Sequence, residues 1–183
     1  MRRVYRPLMC EHVPHSFFMS SSRLGFRTWT QDDLNLAIGL WGDADVTKLT
    51  GGPFDAGQVR ERLENEIGNQ QDFGFQYWPI FWLDSGRHVG CCGLRPRQIG
   101  SGVLELGFQI RRDAWGQGIA SEASDAVIAW AKAQGFSALI AGHHPQNHAS
   151  RQVLRRLGFR YTHDELYEPT GLMEPCYSLP LKE

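Results

Sequence analysis

The chain has 183 residues, enough for one domain with a full hydrophobic core and too few for two ordinary ones. Its 19 basic and 20 acidic side chains give a net charge of −1, which argues against nucleic acid or an anionic membrane as the main partner. An apolar fraction of 42%, with 6 Trp, 5 Tyr and 10 Phe, excludes a disordered chain.

The cysteines and the N-terminal segment indicate the cellular compartment of the protein. The four cysteines show no C-x-x-C spacing, and the adjacent Cys91 and Cys92 are expected on opposite faces of a sheet, so we predict free thiols in a reducing cytoplasm. The basic N-terminal residues are not followed by the apolar stretch of a signal peptide. No segment approaches the roughly 20 apolar residues that cross a bilayer. We therefore expect a cytoplasmic protein without a membrane partner.

The first half of the chain predicts a strand followed by helices. Residues 1–22 lack periodicity and are interpreted as an N-terminal extension, and a single domain is expected over 23–183. Alternating apolar residues from Arg23 predict a strand, and Thr30 with Asp33 resembles a helix-opening cap. Apolar residues at helical spacing predict a helix ending near Trp41, a short one after it and a third around 59–67.

The second half alternates strands with helices. Segments 75–83 and 88–94 predict a hairpin, and 103–110 predicts a strand with Glu105, Gly107 and Gln109 on one face. Further patterns predict helices over 118–134 and 147–157 and strands over 137–141, 159–162 and 176–179. This order favours an α/β (α+β) fold, a mixed sheet of about seven strands with helices on both faces.

Residues 115–120 (WGQGIA) lie between a predicted strand and a predicted helix. Two glycines separated by one residue let backbone N–H groups turn inward, and the positive end of the following helix faces the same place. Such a turn can hold a pyrophosphate, although glycines at strand-to-helix turns also serve purely steric needs. The Rossmann fingerprint is absent, because its third glycine is missing and antiparallel hairpins precede the turn.

Asn147 and Ser150 open the last predicted helix. Each alone fits an ordinary helix start, with Asn147 as the cap. Their place in an ordered series is more informative. An acidic residue on a strand is followed by the glycine turn, a long helix, a strand, Asn147-x-x-Ser150 and then Gly158-Phe159.

At this point the chain resembles the GNAT superfamily of acyl-CoA-dependent N-acetyltransferases, and within it the ribosomal-protein N-terminal acetyltransferase (RimJ/RimL-like) branch. The resemblance spans 23 to about 180 and is carried by 23–34, 105–108, 115–123 and 147–159. Two departures stand out. Trp115 opens the phosphate loop where the superfamily usually has Gln or Arg, and Leu154 stands where many relatives have the tyrosine that protonates the leaving thiolate.

The resemblance implies a three-layer fold in which acetyl-CoA, the co-substrate, binds where the central strands splay. The implied cofactor-binding residues are Phe108, Gln109, Ile110, Trp115, Gly116, Gln117, Gly118, Ile119, Ala120, Asn147 and Ser150. The strand end would pair with the pantetheine arm and the loop N–H groups would hold the pyrophosphate. Gly107 would leave room for the ligand to approach.

The implied reaction is attack by a primary amine on the thioester in a ternary complex. Glu105 occupies the position of a general base in some relatives and is the first catalytic candidate, with an ordinary surface carboxylate as its structural alternative. A strand N–H near Phe108 would stabilise the oxyanion. Ser150, the second catalytic candidate, would support the departing thiolate.

Three further residues are candidates for the acceptor site. His143 and His144 are expected to line the cleft, with a packing role equally open, and Trp78 on the aromatic strand would form a wall. With His148 the histidines also suggest zinc, but Pro145 interrupts a common helix and no cysteine or carboxylate completes the set, so no metal is predicted.

The acceptor stays open between a protein N-terminal α-amine, the branch's best-known acceptor, and a small-molecule amine such as an antibiotic, amino acid or polyamine. A non-catalytic acyl-CoA-binding sensor or interaction domain is the alternative of another class, and an α/β module for another phosphate ligand is the least specific one. The resemblance also allows a homodimer, with the proline-containing stretch 168–175 at its interface.

Overall fold

The computed structural model describes residues 16–97 and 100–182. In chain order the elements are β1 (Met19–Ser20), β2 (Leu24–Phe26), α1 (Leu34–Trp41), α2 (Ala44–Thr47), α3 (Ala56–Phe73), β3 (Tyr77–Trp82), β4 (His88–Pro96), β5 (Val103–Ile110), α4 (Ile119–Ala133), β6 (Ala138–Gly142), α5 (His148–Arg156), β7 (Arg160–Tyr167) and β8 (Leu172–Pro180). In the part of the chain so described, no helix is both long and apolar enough to cross a membrane.

The described strands form one sheet of eight, in the order β1-β2-β3-β4-β5-β6-β8-β7. Neighbours are antiparallel except β5 and β6, which are parallel and pair only through Val103, Leu104 and Glu105 of β5. Beyond Glu105 the two strands diverge, and β6 continues along β8. Within the described chain, the edge of β5 from Leu106 to Ile110 is therefore without a strand neighbour on its β6 side.

The core lies on both faces of this sheet. One cluster packs α4 and α5 against the sheet and includes Cys92, and the other packs α1 and α3 against the opposite face and includes Cys91. Adjacent strand residues point to opposite faces. The predicted mixed sheet with helices on both faces is confirmed, with eight strands in place of about seven.

Local sequence signals set several helix ends. Thr30 and Asp33 form a reciprocal capping box at a single 3-10 turn that leads into α1. The Asp43 side chain accepts hydrogen bonds from the first turn of α2, and Asp55 caps α3. Gly74 ends α3 with a φ of 80°, a left-handed conformation that glycine adopts without strain.

Two boundaries differ from the sequence expectation. Residues 19 and 20, assigned to the N-terminal extension, form β1 and pair with β2, so the sheet begins before residue 23; residues 1–15 of that extension lie outside the described part. The strands expected over 159–162 and 176–179 extend toward each other as β7 and β8, so the stretch 168–175 forms the turn of a long hairpin and the start of β8. Most side chains of β7 are exposed, so the sequence shows no alternation of buried and exposed residues there.

Candidate functional site

The divergence of β5 and β6 opens a cleft with two cavities. The loop cavity, about 620 Å³, is lined by the 114–121 segment, α5 and the end of β5. The hairpin cavity, about 320 Å³, is lined by parts of α3, β4, β5 and the β7–β8 hairpin. The two cavities share the residues Leu49, Thr50, Phe108, Gln109, Asn147 and Ser150. The two cavities therefore adjoin each other along these residues.

The loop before α4 presents open backbone to the loop cavity. Gly116 and Gly118 have φ of 73° and 76°, and a Cβ at Gly118 would meet no atom closer than the Arg23 guanidinium at 3.9 Å. No side chain of the described residues caps the start of α4, so its first N–H groups are available to an anion at the positive end of the helix. The geometry fits the pyrophosphate of a nucleotide cofactor.

All but one of the predicted cofactor-binding residues line the loop cavity. They are Phe108, Gln109, Ile110, Trp115, Gly116, Gly118, Ile119, Ala120, Asn147 and Ser150. Gln117 points elsewhere: its side-chain nitrogen donates to the Asp113 carbonyl at 3.2 Å and its own carbonyl accepts from Arg23 at 3.0 Å. Trp115 donates from its indole nitrogen to the Ile110 carbonyl at 2.7 Å, so that carbonyl is already engaged.

Asn147 begins α5 as its cap, because its Oδ1 accepts the backbone N–H of Ser150 at 3.0 Å. This contact places Ser150 in the first turn, beside both cavities. Leu154, one turn further, is buried in the core. It supplies no acid, so a proton donor for the leaving group has to come from another position.

Glu105 faces the hairpin cavity, at the last paired position before β5 leaves β6. Its carboxylate accepts the Tyr77 hydroxyl at 2.9 Å and lies 3.7 Å from the Arg97 guanidinium. Burial and the charge of Glu105 hold the pKa of Tyr77 well above its usual value, so Tyr77 stays a neutral donor. The sequence does not identify Tyr77 as a site residue, because it belongs to an aromatic strand whose composition is typical of a hydrophobic core.

Gln109, on the same face as Glu105, is held by side chains from the helical layer. Its Oε1 accepts hydrogen bonds from the Trp41 indole at 2.9 Å and from Arg62 at 2.7 Å. The Arg62 guanidinium lies 4.5 Å from the Trp41 ring, and burial lowers its pKa. The Gln109 side chain is therefore a fixed part of the wall between the cavities.

His143 and His144 both line the hairpin cavity. His143 is buried, stacks on Tyr177 with ring centroids 5.4 Å apart, and has its Nδ1 2.8 Å from the His144 carbonyl oxygen. Burial lowers the pKa of His143, which favours the neutral imidazole. His144 is half-buried, and its Nδ1 accepts the backbone N–H of Gln146.

Trp78 is not part of either cavity, and its expected role as a wall of the acceptor site is corrected. It is 1% exposed, donates to the Gln70 side chain at 2.9 Å and packs on Trp130 in the core. The alternation of a strand explains the difference, because neighbouring residues point to opposite faces. Tyr77 takes the cavity face and Trp78 the opposite one.

Glu174 on β8 is a functional candidate that sequence reasoning did not single out. It lines the hairpin cavity, is 8% exposed, and its Oε1 has no hydrogen-bond partner within the described chain. Burial raises its pKa, with a further contribution from the negative charge of Glu105. In sequence it is one acidic residue before Pro175, with no motif around it.

Among the residues that the structure describes, one group of potential metal ligands lies close together, on the hairpin, and it does not include His143 or His144. Ligand atoms of His163, Glu165 and Cys176 lie within 4.8 Å of one another. The Glu165 carboxylate is paired with Arg97, and burial raises the pKa of the Cys176 thiol to about 11. Both features work against metal ligation, which needs a free carboxylate and a thiolate.

Similar known proteins identify the family of this chain. A family model described as the acetyltransferase (GNAT) domain matches residues 23–160. Among curated proteins, the chain is 30% identical over 145 residues to the uncharacterized protein YkkB of Bacillus subtilis, covering 78% of this chain and 84% of that one. It is 26% identical over 147 residues to the uncharacterized N-acetyltransferase p20 of Bacillus licheniformis, covering 76% and 80%.

Solved structures share the architecture at low sequence identity. A GNAT-family acetyltransferase from Bacillus anthracis matches with a TM-score of 0.78 and 22% identity, covering 92% of this chain and all of that one. The RimL ribosomal L7/L12 alpha-N-protein acetyltransferase in complex with coenzyme A matches with a TM-score of 0.77 and 18% identity, covering 90% and 98%. With the family match over most of the chain, these findings establish that the protein belongs to the GNAT acetyltransferases and is an acyltransferase.

Proposed function

We propose that the protein transfers the acetyl group of acetyl-CoA to a primary amine, with a protein N-terminal α-amine as the first acceptor class to test. The observation that carries this proposal is the opening of the sheet beyond Glu105 between two cavities with a common wall. Two adjoining cavities of this kind would hold two substrates side by side, which makes a bimolecular step effectively unimolecular. The RimL neighbour, an alpha-N-protein acetyltransferase, supports this choice of acceptor.

Acetyl-CoA supplies an acetyl group already activated as a thioester. Gly116, Gly118 and the first N–H groups of α4 would hold its pyrophosphate in the loop cavity. The free edge of β5 would pair with the pantetheine arm. Because the Asn147 oxygen is used in the helix cap, its side-chain NH₂ group is the part that would contact the arm.

The catalytic roles follow from the wall shared by the cavities. A backbone N–H near Phe108, on the free edge of β5, would stabilise the oxyanion. Glu105 would attract the acceptor's ammonium group and assist the loss of its proton, directly or through water. Ser150 lies beside both cavities and would donate a hydrogen bond to the departing sulfur in place of the acid that Leu154 cannot supply.

The test is calorimetric titration with acetyl-CoA, CoA and a non-nucleotide thioester, using the wild-type protein and Gly118→Asp. The substitution places a negative charge in the proposed phosphate loop. We expect the wild type to bind both nucleotides and Gly118→Asp to lose that binding. Gly74→Asp is the matched control, because Gly74 has a similar φ of 80° and no atom within 4 Å of its Cβ position but ends α3, outside the loop cavity.

The outcomes separate the remaining functions. Failure of the folded wild type to bind acetyl-CoA would overturn the transferase proposal and favour another phosphate ligand. Binding without acetylation of any amine would favour the sensor or interaction domain. A screen of peptides with different N-terminal residues against spermidine and free amino acids then distinguishes a protein acceptor from a small molecule.

A further inference from the structure

Glu174 is a buried carboxylate that lines the hairpin cavity. In the described chain its carboxylate forms no ion pair, whereas Arg97 pairs with Glu165 and Glu105, and Arg95 pairs with Glu66. A buried, unpaired acidic group costs folding free energy, so its place in a cavity points to a function there.

The position of Glu174 relative to the catalytic cleft is set by the hairpin. Its Cα pairs directly with that of Glu165 on β7, and its side chain faces the same cavity as Glu105. Its Oε1 is buried and without a hydrogen-bond partner in the part of the chain described, so it is able to accept a proton from a ligand.

We propose that Glu174 is the final proton acceptor of the acetyl transfer, taking the proton that leaves the acceptor's ammonium group. This inference rests on the proposed function and goes beyond it by dividing the work between two carboxylates. Glu105, which accepts the Tyr77 hydroxyl and pairs with Arg97, attracts the ammonium group. Two carboxylates in different environments commonly separate into such roles.

The acceptor nitrogen loses two protons during the transfer, one before and one after it attacks. One N–H bond of the ammonium group breaks, its electron pair stays on nitrogen, and the proton goes to Glu174. The neutral nitrogen forms the new C–N bond to the acetyl carbon as the C–S bond breaks, and a second nitrogen proton goes to the sulfur. Glu174 returns its proton to water after the product leaves.

The electrostatic surroundings favour this assignment. Burial raises the pKa of Glu174, Glu105 raises it further, and a hydrogen bond from Thr170 works in the opposite direction. A raised carboxyl pKa makes a better base for an amine near neutral pH. The other titratable or charged residues that line the same cavity are Arg62, Tyr77, Arg95, Arg97, His143, His144, Glu165, Tyr167 and Cys176.

The test compares the wild type with Glu174→Gln and with Glu168→Gln, an exposed control in the turn of the same hairpin. Acetylation of N-terminal serine and alanine peptides and of spermidine is measured from pH 6 to 9.5. We expect Glu174→Gln to lower kcat by about 100-fold at pH 7. At pH 9.5 the α-amino groups of the peptides are already mostly neutral, so with the peptides the loss should shrink strongly.

A second measurement needs no acceptor. Carbon-13 NMR of the glutamate carboxyl groups is followed through a pH titration, and the Glu174 signal is identified by its disappearance in Glu174→Gln. We expect it to titrate above the ordinary value of 4.5.

Three outcomes would overturn the role of Glu174 while leaving the transferase intact. They are a Glu174 carboxyl that titrates at or below 4.5, a Glu174→Gln variant that loses no activity, and a variant whose loss of activity is equal at every pH. If the wild type binds acetyl-CoA but acetylates none of these amines, the acceptor proposal and this inference both fall. Absence of acetyl-CoA binding would instead identify failure of the proposed function itself.

Discussion

Gly107 leaves the space that the Tyr77 ring occupies beneath the cleft. A Cβ at this position would lie 2.3 Å from both the Cζ and the hydroxyl oxygen of Tyr77. That hydroxyl donates to Glu105, two residues away on the same face of β5. From the sequence we expected this glycine to leave room for a ligand, and in the structure it leaves room for the protein's own tyrosine ring.

Gly107→Ala is therefore expected to move the Tyr77 ring and to lower the free energy of unfolding by about 1–3 kcal/mol through overpacking. Urea denaturation measures the loss. Gly68→Ala is the control, because no atom lies within 4 Å of the added carbon and it lies inside α3, where alanine should stabilise by about 0.5–1 kcal/mol. Equal stability of Gly107→Ala and the wild type would contradict the packing role.

The first turn of α4 is tied to the beginning of the sheet through Glu122. Its Oε1 accepts the Ser21 hydroxyl at 2.7 Å and the backbone N–H of Arg23 at 2.9 Å, and its Oε2 accepts the Arg23 side-chain Nε at 2.7 Å. A negative charge there also suits the positive end of the helix dipole. The element that presents the glycine loop is thereby fixed to the β1–β2 turn.

Glu122→Gln should lower the free energy of unfolding at pH 7 by about 1–2 kcal/mol, because charge-assisted hydrogen bonds are lost. Burial raises the pKa of Glu122, but hydrogen bonds from Ser21 and Arg23 outweigh it and the net shift is downward. The stabilisation is thus present above the ordinary value of 4.5 and disappears as pH falls through the lowered value.

The measurement is urea unfolding of both proteins at pH 7 and in steps down to pH 3. The stability difference between the wild type and Glu122→Gln should shrink at the acidic end. Asp125→Asn, an exposed residue one turn further along α4, is the control. A difference that stayed constant with pH would assign the effect to side-chain shape instead of charge.

At the scale of the whole molecule, His88 makes folding sensitive to acid. It is 6% exposed, its ring packs against Trp29 and Phe81, and burial together with the charge of Arg111 lowers its pKa to about 4. In the unfolded chain a histidine binds a proton near pH 6.5. The unfolded state therefore gains protons before the folded state does as pH falls.

Unfolding free energies at pH 7.5 and pH 5 test this coupling. We expect the wild type to lose about 2 kcal/mol more than His88→Phe over this range, since each pH unit below 6.5 costs about 1.4 kcal/mol until the folded group titrates. Identical losses in the two proteins would show that other groups cause the acid sensitivity.

Periodicity and caps predicted most of the elements, because they are local. The face of β5 that carries Glu105 and Gln109 follows from alternation alone, and Asn147 at the start of α5 follows from its capping chemistry. Tyr77 and Glu174 could not be assigned to the site from the sequence, because their positions depend on strand register. Glu174 reaches the cavity only through the β7–β8 pairing, in a hairpin whose exposed strand shows no buried face.

The common wall between the loop cavity and the hairpin cavity also affects the order in which the two products can leave the enzyme. A spent nucleotide would depart past the glycine loop and α5, while the acylated amine would depart past the β7–β8 hairpin. On these routes, neither product would have to cross the space that the other fills. Release in either order would then be open to the enzyme, and the product held less tightly would leave first.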